Sequence, residues 1–300
     1  MGLLDGKVAV VTGAGRGIGR SHARLLAAEG ARVVVNDLGT ATEGGGTDSA
    51  PAREVVEEIG AAGGTAIANG DNVATWDGAG AVVQQALDDF GRLDILVNNA
   101  GILRDAMSFN ITEEQWDSVI QVHLKGHMAM CHHAANHWRA VGKAGDEVSG
   151  RIINTASESG LFGQAGQANY SAAKAGIVSM TIVLARELKK YNVTANVVCP
   201  RALTRMTATV GGAEEYMQGP EWAPENISPL VVFLASDAAA DVSGQIFVVF
   251  GTRVHLMENF SLANTLDRGE GRWTPEELIA RKDELFAGRR SKVPPMGFGQ

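Results

Sequence analysis

The 300-residue sequence predicts an α/β fold, a doubly wound parallel sheet of about seven strands with helices on both faces. Two observations carry this. Short runs rich in Val and Ile alternate with longer, Ala-rich amphipathic runs, and the short runs are apolar along nearly their whole length. Strands of that kind are buried on both faces, which means a parallel sheet covered by helices. Regular β-α alternation then gives right-handed crossovers.

In order, KVAVVTG (7–13) reads as the first strand and Gly19 to Gly30 as a helix ended by glycine. RVVVND (32–37) is the second strand, and PAREVVEEIGAAG (51–63) is a helix with Pro51 in its first turn, where a missing N–H costs nothing. TAIANGD (65–71), the helix GAGAVVQQALDDFG (78–91) and LDILVNNAG (93–101) continue the pattern. RIINTAS (151–157), VTANVVCP (193–200) and QIFVVFG (245–251) each follow a helical stretch, and NISPLVVFLASDAA (226–239) reads as a buried helix. Composition does not break before about residue 250, so residues 1–252 are expected to form one domain. Residues 253–300 form a C-terminal extension, a lid or oligomer arm, with one helical run, TPEELIARKDELFAG (274–288). GTATEGGGTDSA (39–50) reads as a flexible insertion after the second strand.

A net charge of -8 argues against nucleic acid or an anionic membrane as a main partner and leaves anionic small molecules open. Cys131 and Cys199 have no CxxC neighbour, which fits a reduced, cytoplasmic setting. No apolar stretch reaches the ~20 residues of a membrane span. The N-terminus lacks a secretory pattern, Gly6 stands where myristoylation needs Ser or Thr, and GFGQ is not a peroxisomal address.

TGAGRGIG (Thr12–Gly19) lies between the first strand and the first helix. Glycines there make a tight turn and let the backbone approach a pyrophosphate, whose charge the helix N-terminus holds. Gly13, Gly15, Arg16, Gly17, Ile18 and Gly19 are therefore candidate cofactor-binding residues. Asp37 ends the second strand, where a carboxylate accepts both ribose hydroxyls of an adenosine and repels a ribose phosphate, so NAD is expected over NADP.

Tyr170 and Lys174 lie at i and i+4 within GQANYSAAKAG, surrounded by residues small enough to leave room for a ligand. A phenol is a poor base near neutrality unless its phenolate is stabilised, which a neighbouring ammonium or a bound nicotinamide's positive charge does. Ser157 closes RIINTAS at the carboxyl end of a strand, where open α/β sheets bind ligands, and its hydroxyl is placed to hold a substrate oxygen. The trio suits removal of a proton from an alcohol as hydride leaves the same carbon.

Over roughly residues 5–251 the sequence resembles the short-chain dehydrogenase/reductase family, through TGAGRGIG, Asp37, GDNV (70–73), NNAG (98–101), Ser157, YSAAK (170–174) and Pro200. The resemblance implies a Rossmann-like sheet with Tyr170 as general acid/base and Ser157 orienting the substrate oxygen. Lys174 would bind the nicotinamide ribose and lower the tyrosine pKa. It further implies that Asp71, Asn72 and Val73 line the adenine, that Asn99 and Gly101 border the adenosine ribose, and that the Pro200 loop contacts the nicotinamide. VVVNDLG, NNAGILRD, VHLKG and GQANYSAAK look like the dehydrogenase region of the multifunctional enzyme type 2 group. That group oxidises (3R)-hydroxyacyl-CoA, and some members act on 17β-hydroxysteroids. The resemblance also implies a homodimer or homotetramer.

Two departures stand out. His123 occupies a proton-relay position where many family members carry Asn, and Arg201 replaces the usual glycine after Pro200, where a cation is expected to reshape the pocket or meet an acidic substrate. The histidines 123, 127, 132, 133 and 137 lack a completing tetrahedral set, so no metal is expected. The expected activity is NAD-dependent oxidation of a secondary alcohol, most directly a 3-hydroxyacyl-CoA. A hydroxysteroid dehydrogenase and a non-catalytic NAD-sensing or scaffold protein are the alternatives.

Overall fold

In the computed structural model, residues 2–40, 46, 48–208 and 217–288 are described. The centre of the 39–50 insertion, part of the stretch beyond Pro200 and the end of the C-terminal extension lie outside them. The chain runs β1 (Val8–Thr12), α1 (Gly17–Ala28), β2 (Arg32–Asn36), α2 (Ala50–Ala61), β3 (Thr65–Asn69), α3 (Trp76–Phe90) and β4 (Ile95–Asn98). Then come α4 (Glu113–Ile120), a π-helical turn (Gln121–Lys125), α5 (Gly126–Ala144), β5 (Gly150–Thr155), α6 (Glu158–Phe162), α7 (Ala168–Leu188) and β6 (Val193–Arg201). α8 (Arg205–Ala208), α9 (Ser228–Ala235), β7 (Ile246–Phe250), β8 (Arg253–Leu256), α10 (Pro275–Ala280) and α11 (Lys282–Phe286) follow.

The strands form one sheet in the order β3-β2-β1-β4-β5-β6-β7-β8. All pairings are parallel except β7 with β8. Alternating side chains explain the lack of polar faces on the central strands. Val33 and Val35 of β2 pack with Leu26 of α1, Val55 and Ile59 of α2 and Val231 of α9. Val34, between them, packs on the other side with Val82 of α3 and Met130 and Trp138 of α5. Strand order reverses between β1 and β4, and a crevice opens there at the carboxyl ends of the strands.

The eighth strand comes from the start of the C-terminal extension: Arg253–Leu256 pairs antiparallel with β7 and forms an exposed edge. The 274–288 run is two short helices, α10 and α11, parted at Arg281. Thr274 caps the first through a reciprocal capping box with Glu277. Helix α1 begins at Gly17, two residues ahead of the sequence reading, because the residues of the turn supply its first helical N–H groups.

Candidate active site

The loops after β1 to β6 converge on a cavity of about 600 Å³. Gly13, Arg16, Gly17, Ile18, Gly19, Asp37, Asp71, Asn72, Val73, Asn99 and Gly101 line it, as do His123, Ser157, Tyr170, Lys174 and Pro200. Of the residues the sequence nominates, Gly15 alone is not on this wall; it sits behind, donating its N–H to Asp37 Oδ2 at 2.7 Å. Each strand contributes at the point where its pairing ends, so residues distant in sequence meet at one edge of the sheet.

The phosphate end is built by close approach. Gly13 has φ +63°, and a Cβ there would lie 2.8 Å from Ala100 Cα. A Cβ on Gly19 would sit 2.2 Å from Gly13 O, so only glycine lets α1 start this near the turn. Thr12 Oγ1 accepts from the N–H groups of Asn99 and Ala100 at 3.0 and 3.1 Å, and Asn99 Nδ2 donates to the Thr12 and Gly13 carbonyls at 3.1 Å. Asn99 thus fastens the glycine turn to the loop after β4. No side chain caps α1 and its first turn carries no acid, which is the arrangement an anionic pyrophosphate needs. Across the crevice, Asp37 Oδ1 accepts from Gly39 N–H at 2.7 Å, and its carboxylate retains lone pairs for further donors. These residues fit a dinucleotide.

At the chemical end, Ser157 is the N-cap of α6; its Oγ accepts from the Ser159 N–H at 3.2 Å and from the Ser159 hydroxyl at 3.0 Å. Tyr170 is half-buried on α7. Burial pushes its phenol above the ordinary value, against which a hydrogen bond from Ser157 pulls it down. Lys174, 2% exposed, donates to the Thr155 carbonyl at 2.7 Å and lies 5.4 Å from the Tyr170 ring centroid. Burial lowers its ammonium to about 7. Desolvation acts on both groups and favours their neutral forms.

His123 lies within the π-helical turn and is 1% exposed. Its Nε2 is 2.8 Å from the Ile102 carbonyl and 3.1 Å from the Ile102 N–H, while Nδ1 has no partner among the described residues. Its ring meets Tyr170 edge-on with centroids 5.1 Å apart. Burial first, then the Lys174 charge, hold it well below the usual histidine range. Among the described residues no three His, Cys, Asp or Glu side chains are placed to share a metal ion.

Arg201 departs from expectation. Its guanidinium does not line the cavity; it forms a two-pronged ion pair with Glu158, the first residue of α6, and lies 5.9 Å from the Phe250 ring centroid. Burial keeps both thiols inert, pushing Cys131 and Cys199 up to about 12. Sequence reasoning missed Thr12, Ser159 and Glu158. The only signal for them is adjacency to a nominated residue, which by itself does not distinguish a neighbour that bonds from one that points away.

A doubly wound sheet with a glycine turn at its switch point and a Ser-Tyr-Lys set on the facing wall defines a nicotinamide-dependent oxidoreductase. The chain belongs to the short chain dehydrogenase family, whose sequence model matches residues 7–215. It is an oxidoreductase acting on CH–OH donors, in a family that binds NAD(P). It is similar to the hydroxyacyl-CoA dehydrogenase ChsB1 of Mycobacterium tuberculosis, 47% identical over 299 residues, covering 95% of this chain and 90% of that protein. The peroxisomal multifunctional enzyme type 2 of Mus musculus is 43% identical over 241 residues, 80% of this chain but 31% of that protein. The chain spans about a third of the length of such multifunctional relatives. A solved short chain dehydrogenase from Mycobacterium avium superposes with a TM-score of 0.88 at 51% identity, covering 99% of this chain and 100% of that one. Among the described residues no helix is long and apolar enough to cross a membrane.

Proposed function

We propose that the protein oxidises a (3R)-3-hydroxyacyl-CoA to the 3-ketoacyl-CoA with NAD. The observation that carries the reading is the convergence of Ser157, Tyr170 and Lys174 on the same cavity as the glycine turn and Asp37. The similarity to a protein named hydroxyacyl-CoA dehydrogenase, along nearly the full length of both, supports the thioester class. Asp37 supports NAD, because a 2′-phosphate would meet its carboxylate. Bound NAD would supply the hydride acceptor and, before transfer, a positive charge beside the phenol.

The chain's own residues do the rest. Ser157 donates a hydrogen bond to the substrate oxygen, keeping its proton, and so fixes the reacting carbon. Tyr170 acts as general base in its phenolate form, which the adjacent Lys174 ammonium and the positive charge that bound NAD would bring both favour against burial, and takes the hydroxyl proton to become the phenol. Lys174, whose other N–H groups make no hydrogen bond among the described residues, would hold the ribose hydroxyls of the cofactor. Asp71, Asn72 and Val73, on the same cavity wall, would border the adenine, and Asn99 and Gly101 the adenosine ribose. His123 acts as a wall, since Ile102 occupies its Nε2 and its ring buttresses Tyr170.

The test follows NADH formation with (3R)- and (3S)-hydroxyacyl-CoA and a 17β-hydroxysteroid, with NAD and with NADP, beside Tyr170→Phe. The expected result is turnover of the (3R)-thioester with NAD, reduced at least ~100-fold in Tyr170→Phe. Turnover of the steroid alone, or of the (3S)-thioester, overturns the substrate assignment. Full activity of Tyr170→Phe overturns the mechanism.

A further inference from the structure

We infer that Ser159 is a positioning residue that fixes the direction of the hydrogen bond Ser157 donates; this rests on the assignment of Ser157 to the substrate oxygen. A serine hydroxyl has one proton and two acceptor lone pairs. Both acceptor positions of Ser157 Oγ are taken by one residue: the Ser159 N–H at 3.2 Å and the Ser159 hydroxyl at 3.0 Å. With its lone pairs engaged from the protein side, Ser157 has only its own O–H left to give. That O–H is the donor left for the substrate oxygen.

A lone cap would leave this weakly determined, since the backbone N–H bond alone leaves one lone pair open and the hydroxyl free to rotate. The second bond, from a side chain only 3% exposed, removes the alternative. Two contacts hold the donor in place. Glu158, between the two serines, is tied to Arg201 at the end of β6 by the two-pronged ion pair. Gly160 packs so closely on α7 that a Cβ there would lie 2.7 Å from Lys174 Cβ. The five-residue helix α6 is thus held between β6 and the helix bearing Tyr170 and Lys174. Arg201, where the family pattern has glycine, belongs to this support and not to the substrate pocket.

The test is a double-mutant cycle in the intact enzyme, with kcat and KM for a (3R)-3-hydroxyacyl-CoA, the Kd for NADH by fluorescence, and thermal melting of each variant. Ser159→Ala is expected to lower kcat about 10-fold with KM and the NADH Kd within about 2-fold of wild type. Ser159→Thr, which restores a hydroxyl donor, is expected to recover most of that loss. In a Ser157→Ala background the Ser159→Ala change is expected to cost nothing more, because it acts through the missing hydroxyl. Equal losses in both backgrounds, or wild-type kcat in Ser159→Ala while Ser157→Ala is impaired, overturn the inference alone. Wild-type kcat in Ser157→Ala overturns the functional reading beneath it.

Discussion

Asp37 ties the glycine turn together and lines the cavity with the same carboxylate. Its oxygens hold the N–H groups of Gly15 and Gly39, each at 2.7 Å, so it fixes the glycine turn against the start of the insertion as well as lining the cavity, where we propose it meets the adenosine ribose. Asp37→Ala is therefore expected to raise the KM for NAD and narrow the gap to NADP. It should also lower unfolding stability by about 2 kcal/mol, the usual worth of hydrogen bonds to a charged group. Urea denaturation and paired cofactor kinetics check both; an unchanged NAD/NADP ratio in the variant would remove Asp37 from cofactor choice. At this scale the wall of the candidate site was legible wherever one residue type in one place suffices: Gly13, Gly17, Gly19, Asp37, Ser157, Tyr170 and Lys174 all line the cavity. Arg201 was not, because its meaning depends on Glu158, 43 positions away, which only the pairing of β5 with β6 brings close.

Strand and helix positions followed from periodicity, since β1 to β7 are apolar runs bounded by turn residues. The π-helical turn at Gln121–Lys125 and the edge strand β8 left no such trace. A π-turn is one residue of extra winding inside an otherwise helical pattern, and β8 mixes Arg253 and His255 with exposed Val254 and Leu256. The turn has a packing reason that can be tested. It sets His123 against Gly101, where an added Cβ would fall 2.3 Å from His123 Cε1, so glycine is required here for space and not for backbone freedom. Gly101→Ala is expected to destabilise by roughly 1–3 kcal/mol, the range for overpacking a filled interior. His123→Asn, with a smaller side chain, should recover part of that loss in the double variant. Urea midpoints of the single and double variants decide it; a Gly101→Ala protein as stable as wild type would show that His123 moves aside freely.

Among the described residues the buried bases share one direction, downward, while the buried thiols and the Tyr170 phenol go up. His22, on α1 against Ser228 of α9 at 2.8 Å, and His127, on α5, are both brought down to about 3 by burial, with the Lys174 charge adding to the effect on His127. His123 is depressed for the same reasons. For a histidine whose folded pKa lies below its unfolded value near 6.5, the unfolded chain binds more protons between those two values, so stability is full above about pH 6.5 and falls as the pH drops toward 3. Lys174, lowered from 10.5 to about 7, works the same way one window higher: the unfolded chain holds the extra proton between them, so stability still rises from pH 7 toward 10. The urea midpoint is therefore expected to climb from pH 5 to 7 and again from 7 to 9. Each buried histidine contributes about 2 kcal/mol of the loss at pH 5, from a gap of about 1.5 pH units. His22→Gln, which keeps a polar partner for Ser228 and cannot titrate, should flatten the acid limb without altering turnover, since α1 and α9 meet on the face of the sheet away from Tyr170. A midpoint that stays level from pH 5 to 7 would mean that these rings accept protons inside the fold, which their burial and lack of acidic partners do not allow without local opening.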